Sequence, residues 1–144
     1  MQNIQIINDK YIIKRLNRVS SCTLSFNDNT MILGYMLDNQ IVSYVYFKLF
    51  YNSYIEPLNK TCNYIHIIYS YTYEKYRLHG YNKKIRENME SIAKSQYMDY
   101  IISIPFDGAN SKYLLQKLNY KNLSYNDCNI YYKEFIYVLW FLVS

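Results

Sequence analysis

At 144 residues the chain has the length of one domain, and 51% hydrophobic against 19% charged residues excludes an intrinsically disordered segment. A formal net charge of +5, from 16 Lys+Arg against 11 Asp+Glu without a dense basic run, leaves no footprint for nucleic acid. Cys22, Cys62 and Cys128 are widely separated and only two histidines accompany them, so the cysteines read as free thiols of a reducing, cytosolic compartment and not as a metal centre.

The first ten residues carry Gln2, Asn3, Gln5, Asn8 and Asp9, too polar for a signal peptide. Residues 3–7 read as a strand, after which Asn8 or Asp9 can cap a helix with apolar positions Ile12, Ile13, Leu16 and Val19. A polar loop over 20–30 follows. Two strand-like runs, 31–37 and 41–50, flank the turn residues Asp38, Asn39 and Gln40 and predict an antiparallel hairpin. Residues 51–63, with Asn52, Ser53, Pro57 and Asn59, read as a link.

The chain is organised around residues 64–94. From Tyr64 to Tyr73 the residues alternate, with Ile65, Ile67, Tyr69, Tyr71 and Tyr73 on one side and Tyr64, His66, Ile68, Ser70 and Thr72 on the other. A short loop then opens a basic amphipathic helix in which Tyr81, Ile85, Met89, Ile92 and Ala93 recur at helical spacing, with Lys83, Lys84, Arg86, Glu87 and Glu90 between them. Strand, glycine-containing loop and helix gather free N–H groups and the positive end of a helix dipole, a place for a phosphate. The alternative is a plain structural turn.

Residues 100–104 read as a strand stopped by Pro105, parallel to the central one because a helix intervenes. Residues 107–111 form a loop and helix cap for a short helix with Tyr113, Leu114, Leu115 and Leu118. Residues 123–125 and 130–134 close the chain as a hairpin across a turn at 126–129. The apolar stretch from Phe135 to Val143 is well short of the roughly twenty residues of a membrane span, so it reads as a buried or edge strand, or as a homo-oligomer contact. A count of 20 Tyr with only 3 Gly fits the coding bias of an AT-rich genome, such as that of a large DNA virus, so a single tyrosine carries little functional weight.

The loop Arg77-Leu78-His79-Gly80-Tyr81-Asn82 resembles the Gln/Arg-x-x-Gly-x-Gly/Ala loop with which the GCN5-related N-acetyltransferases hold the pyrophosphate of acetyl-CoA. Nearly the whole chain follows that family's element order. Ile41-Val42-Ser43-Tyr44-Val45, His66-Ile67 and Leu118-Asn119-Tyr120 are similar to segments of the subunits that acetylate protein N-termini. The resemblance implies an α/β (α+β) domain with a mixed sheet of about six to seven strands, helices on both faces, and a splay between the fourth and fifth strands. It also implies acetyl-CoA as co-substrate and a protein or peptide amine as acceptor.

Residue by residue, the resemblance places the cofactor's phosphates on Arg77, Leu78, His79, Gly80, Tyr81 and Asn82. Pantetheine and the thioester fall on the backbone of Ser70, Tyr71 and Thr72, the general base on His66, and an acceptor contact on Tyr125. Lys83 and Lys84 are further phosphate candidates or simply a solvated helix face. Three positions depart from the pattern: Asn82 replaces a small residue, Leu115 stands where a tyrosine commonly protonates the leaving thiolate, and Ser103 stands where some relatives carry a histidine. A catalytically inactive protein of this fold, kept as a protein-binding module, is the reading those departures leave open.

Overall fold

The computed structural model describes residues 3–25, 27, 29–105 and 111–137. In chain order the elements are β1 (Ile4–Ile6), α1 (Lys10–Asn17), β2 (Thr30–Leu37), β3 (Gln40–Ile55), β4 (Lys60–Thr72), a 3-10 turn (Glu74–Tyr76), α2 (Tyr81–Ser95), β5 (Tyr100–Ser103), α3 (Ser111–Lys117), β6 (Lys121–Tyr125) and β7 (Cys128–Glu134). They form one seven-stranded sheet in the order β1-β2-β3-β4-β5-β7-β6. Among the described residues only β4 and β5 pair in parallel, as the intervening helix requires.

Local chemistry accounts for most boundaries. The Asp9 carboxylate accepts from the amides of Tyr11 (2.8 Å) and Ile12 (3.2 Å), capping α1, which ends at Asn17 and leaves Val19 largely outside, contrary to its expected place on the buried face. Two hairpins turn on residue pairs in the left-handed region, Asp38 with Asn39 and Asn126 with Asp127. That geometry gives the tight turn whose twist matches the flanking strands. The segment expected as a link over 51–63 is instead mostly strand. β3 runs through Asn52, at φ 47, to Ile55, pairs Ile55 with Lys60, and leaves only residues 56–59 as the turn.

Two apolar faces result. α2 supplies Ile85, Met89 and Ala93, and α3 with its exit supplies Leu115 and Leu118; these pack on Val45, Phe47, Ile65, Ile67 and Ile101. On the other face α1 packs Leu16 with Ile7 and Leu24 against Ile32, Tyr44 and Tyr46, and a neighbouring cluster joins Ile55, Tyr100, Ile102 and Ile130. After β7, Phe135 is buried and the Tyr137 hydroxyl donates to the Met98 carbonyl (2.6 Å), but residues 135–137 form no strand; the rest of the expected terminal strand, 138–143, lies outside the described residues, as does the expected loop over 107–110. No helix among the described residues is long and apolar enough to cross a membrane.

The central strand departs from simple alternation. Phe47 pairs with Ile67 and the adjacent Tyr46 with Tyr69, so Ile68 is an extra residue, a β-bulge. Side chains before and after it therefore exchange faces: Ile65 and Ile67 enter the α2 core, while Tyr69 and Tyr71 pack in the α1 cluster. The expected common face for Ile65, Ile67, Tyr69 and Tyr71 is thus corrected by one inserted residue. Because Ile68 is itself 38% exposed, Ile68→Ala should change stability by no more than about 0.5 kcal/mol, whereas deleting Ile68 should abolish the cooperative urea transition by driving tyrosines into the α2 core.

Candidate functional site

The site is built where β4 ends and α2 begins. β4 leaves its partner early: parallel pairing with β5 stops at Ile67 and Ser103, while β4 continues to Thr72. The stretch 68–72 therefore carries unladdered backbone groups on its β5 side, the splay expected between the fourth and fifth strands. The chain then passes through the 3-10 turn to Arg77, extended at φ −71 and ψ 157, and into Leu78 (φ 66) and Gly80 (φ 77). Gly80 occupies the N-cap without a side-chain bond, so the first-turn amides of α2, from Tyr81 to Lys83, have no intrahelical acceptor and sit at the positive end of a 15-residue helix.

Nothing lies within 4 Å of where a Cβ on Gly80 would project; its backbone angle, not crowding, demands glycine. The Arg77 Nε donates to the Thr72 carbonyl (2.9 Å) and its guanidinium lies 5.6 Å from the Tyr71 ring. His79 braces the loop, its Nδ1 2.7 Å from the Arg77 carbonyl and its ring stacked on Tyr81 at 5.6 Å. Tyr81 in turn lies 4.6 Å from the Tyr35 ring. Leu78 is fully exposed at the loop tip, and Lys83 and Lys84 stand on the exposed face of the helix.

Asn82 is turned inward, away from the open amides. Its Nδ2 donates to the Ser43 Oγ (3.1 Å), and its Oδ1 accepts from the Arg86 Nε (2.8 Å). Ser43 shares a hydrogen bond with the Thr72 Oγ1 (2.7 Å), and the Arg86 Nη2 donates to the Ser70 Oγ (3.0 Å). Ser70 and Thr72 thus face α2, and Tyr71 faces the opposite way, 6.0 Å from the Tyr44 ring.

Arg86 was expected among the charged residues between the apolar positions of the helix and is instead buried, 1% exposed. The signal that could have found it is its spacing: Asn82, Arg86, Met89 and Ala93 stand at i, i+4, i+7 and i+11, the stripe that meets the sheet. Tyr120 was also missed. Its hydroxyl is buried without a hydrogen-bond partner, and burial pushes its pKa well up, so it stays protonated.

The bulge also relocates His66, which does not share a face with Ser70 and Thr72. It pairs with Lys48 in β3 and Ile102 in β5 and lies on the α1 side of the sheet, next to the cluster that holds Tyr64, Ile102 and Tyr125. Burial lowers its pKa from the ordinary histidine value, which keeps the ring neutral at pH 7 and able to accept a proton. Tyr125 donates to the Glu56 carboxylate (2.6 Å), fastening β6 to the β3–β4 turn. Leu115 and Ser103 are both core residues and offer no proton donor to solvent. No cluster of His, Cys, Asp and Glu among the described residues could hold a metal, and the three cysteines are unpaired.

The arrangement is a set of open helix-N-terminal amides on one face, a gap in the sheet beside it, and a neutral imidazole on the other. No protein-family model and no curated protein sequence matches the chain. Its fold is similar to that of solved structures, one being Arabidopsis thaliana NAA60 in complex with a bisubstrate analogue (TM-score 0.72, 9% identity, 91% of this chain and 97% of that one). Others are a ribosomal-protein-alanine N-acetyltransferase from Brucella melitensis biovar Abortus 2308 (0.65, 15%, 80% and 88%) and the PaiA N-acetyltransferase from Thermoplasma acidophilum in complex with coenzyme A (0.60, 14%, 74% and 62%). The chain thus spans less than two thirds of the Thermoplasma protein's length. Sheet order, the single parallel pair and these likenesses together give the chain the fold of the GCN5-related N-acetyltransferases.

Proposed function

We propose that the protein is a single-domain N-acetyltransferase that moves the acetyl group of acetyl-CoA to a primary amine of a protein or peptide in the cytosol. The observation that carries this reading is the opening of the α2 amides directly beside the unladdered edge of β4, an arrangement suited to phosphates next to an extended, amide-bearing chain. The likeness to NAA60, solved both with acetyl-CoA and with a bisubstrate analogue, supports it.

In this reading the amides of Gly80 to Lys83 and the charge of Arg77 hold the pyrophosphate. The β4 edge at Ser70, Tyr71 and Thr72 hydrogen-bonds pantetheine and polarises the thioester carbonyl. The amine approaches from the α1 face, where Tyr125 contacts it and His66 takes its proton directly or through water. Nitrogen bonds to the thioester carbon, the C–S bond breaks, and the sulfur leaves with the electron pair. The inward turn of Asn82 leaves the phosphate amides clear, so this departure from the small-residue pattern is compatible with cofactor binding.

Acetyl-CoA at a hundredfold excess over its dissociation constant should stabilise the fold by about 2.7 kcal/mol and raise Tm correspondingly. Gly80→Glu, strained at φ 77 and carrying a like charge into the cradle, should remove that shift. No shift in the wild type at millimolar acetyl-CoA would instead favour the binding-module reading.

His66→Ala should lower turnover on a peptide amine by about a hundred- to ten-thousandfold with little change in acetyl-CoA affinity. Since burial lowers the imidazole pKa below about 6.5, wild-type turnover should climb as pH rises through that lowered value and level off by pH 7 where this group alone controls the rate. An unchanged rate and profile in the variant would make His66 structural.

A further inference from the structure

Arg86 is a cation without a counter-charge among the described residues. Its guanidinium is 1% exposed, and both hydrogen bonds it makes go to neutral oxygens, Asn82 Oδ1 and Ser70 Oγ, while Nη1 has no partner. No carboxylate among the described residues lies within ion-pair reach of it. The acid one turn along α2, Glu90, is held by Lys133 of β7 at 2.8 Å. Tyr120, the residue before β6, is the titratable neighbour that acts electrostatically on Arg86, and its hydroxyl is likewise buried and unpartnered. From β3 and β4 come only the hydroxyls of Ser43, Ser70 and Thr72.

Burying an unpaired charge costs several kcal/mol, and an apolar side chain of similar size usually serves a core as well or better. Stability therefore does not account for Arg86. A guanidinium keeps its proton in proteins, so this is a fixed positive charge with a spare donor, next to a second spare donor, in the wall of the splay. Two donors and a charge without an acceptor form a site for an anion.

Its place says which anion. Arg86 is bonded to Ser70, on the stretch of β4 that carries the thioester in the function proposed above, on which this inference rests. The backbone amides there serve the carbonyl oxygen; the sulfur, which leaves as an anion, has no proton donor at Leu115. We infer that Arg86, with the Tyr120 hydroxyl, is a thiolate subsite that receives the coenzyme A sulfur as it leaves. When the C–S bond breaks the electron pair stays on sulfur beside the guanidinium, Tyr120 donates a hydrogen bond and keeps its own proton, and the proton released by the amine passes through His66 to solvent. The products are the amide, the thiolate and one proton, and the thiolate is protonated after release.

The test needs no acceptor. Calorimetric affinities for coenzyme A, acetyl-CoA and desulfo-coenzyme A, which keeps every phosphate and lacks the sulfur, are measured from pH 6 to 9 on the wild type, Arg86→Leu and Tyr120→Phe. A cation beside a thiol lowers its pKa from the ordinary value near 8.5; a shift of about one unit makes coenzyme A bind roughly tenfold more tightly than desulfo-coenzyme A at pH 9 and less so as the pH falls. Arg86→Leu should lose that preference while still binding acetyl-CoA and desulfo-coenzyme A; Tyr120→Phe should lose part of it.

If wild-type affinities for coenzyme A and desulfo-coenzyme A match at every pH while acetyl-CoA binds, the thiolate subsite is wrong and the proposed function stands. Equal weakening of all three ligands in Arg86→Leu would make the arginine a phosphate contact or a structural residue, and overturn the inference. Should Arg86→Leu fail to fold, the wild-type comparison and Tyr120→Phe decide. Failure of every ligand to bind the wild type would remove both readings.

Discussion

One inserted residue governs this sheet. β4 must serve an apolar core under α2 at its start and a polar site at its end, and a regular strand would keep the same face toward α2 throughout. The bulge at Ile68 lets Ile65 and Ile67 fill the core and then turns Ser70 and Thr72, not Tyr69 and Tyr71, toward the N-terminal half of α2. The displaced tyrosines are absorbed by the α1 cluster, where Tyr44 lies 6.2 Å from Tyr69 and 6.0 Å from Tyr71. Bulge and splay are adjacent, so the strand changes faces where it also loses its β5 partner.

The polar network that follows is a compact alternative to an apolar seam. Asn82, Ser43, Thr72, Ser70 and Arg86 form a network of four side-chain hydrogen bonds, two of which, Asn82 to Ser43 and Arg86 to Ser70, tie α2 to β3 and β4 in a region otherwise packed with Ile85, Met89 and Phe47. A network of this kind fixes the azimuth of the helix, since the two bonds that cross to the sheet are lost on a small rotation, whereas an aliphatic seam tolerates such movement. The orientation of the α2 amides is thereby tied to side chains deep in the fold.

Legibility followed the range of the governing interactions. The element order and the parallel β4–β5 pair were readable because each depends on local periodicity, caps and the presence of an intervening helix. The place of the loop between β4 and α2 was readable for the same reason. The face of His66 was not, because one extra residue in a long alternating run leaves no mark on composition; only the pairing with β3 reveals it. Arg86 was misplaced because a charged residue was set apart from the apolar positions by type when its position in the buried stripe argued otherwise. The link over 51–63 failed through its turn residues, of which Asn52 belongs to a strand irregularity rather than to a turn.

The described part of the chain places nine residues other than glycine at positive φ, and seven of them are Asn or Asp: Asp38, Asn39, Asn52, Asn59, Asn119, Asn126 and Asp127. These two side chains tolerate the left-handed region better than other residues with a Cβ, and they are less mobile than glycine in the unfolded chain. Reversals elsewhere assigned to glycine are thus made with residues whose codons begin with adenine or guanine followed by adenine. The chain thus forms tight hairpins and helix exits with only three glycines, one of them fixed at φ 77 where α2 opens.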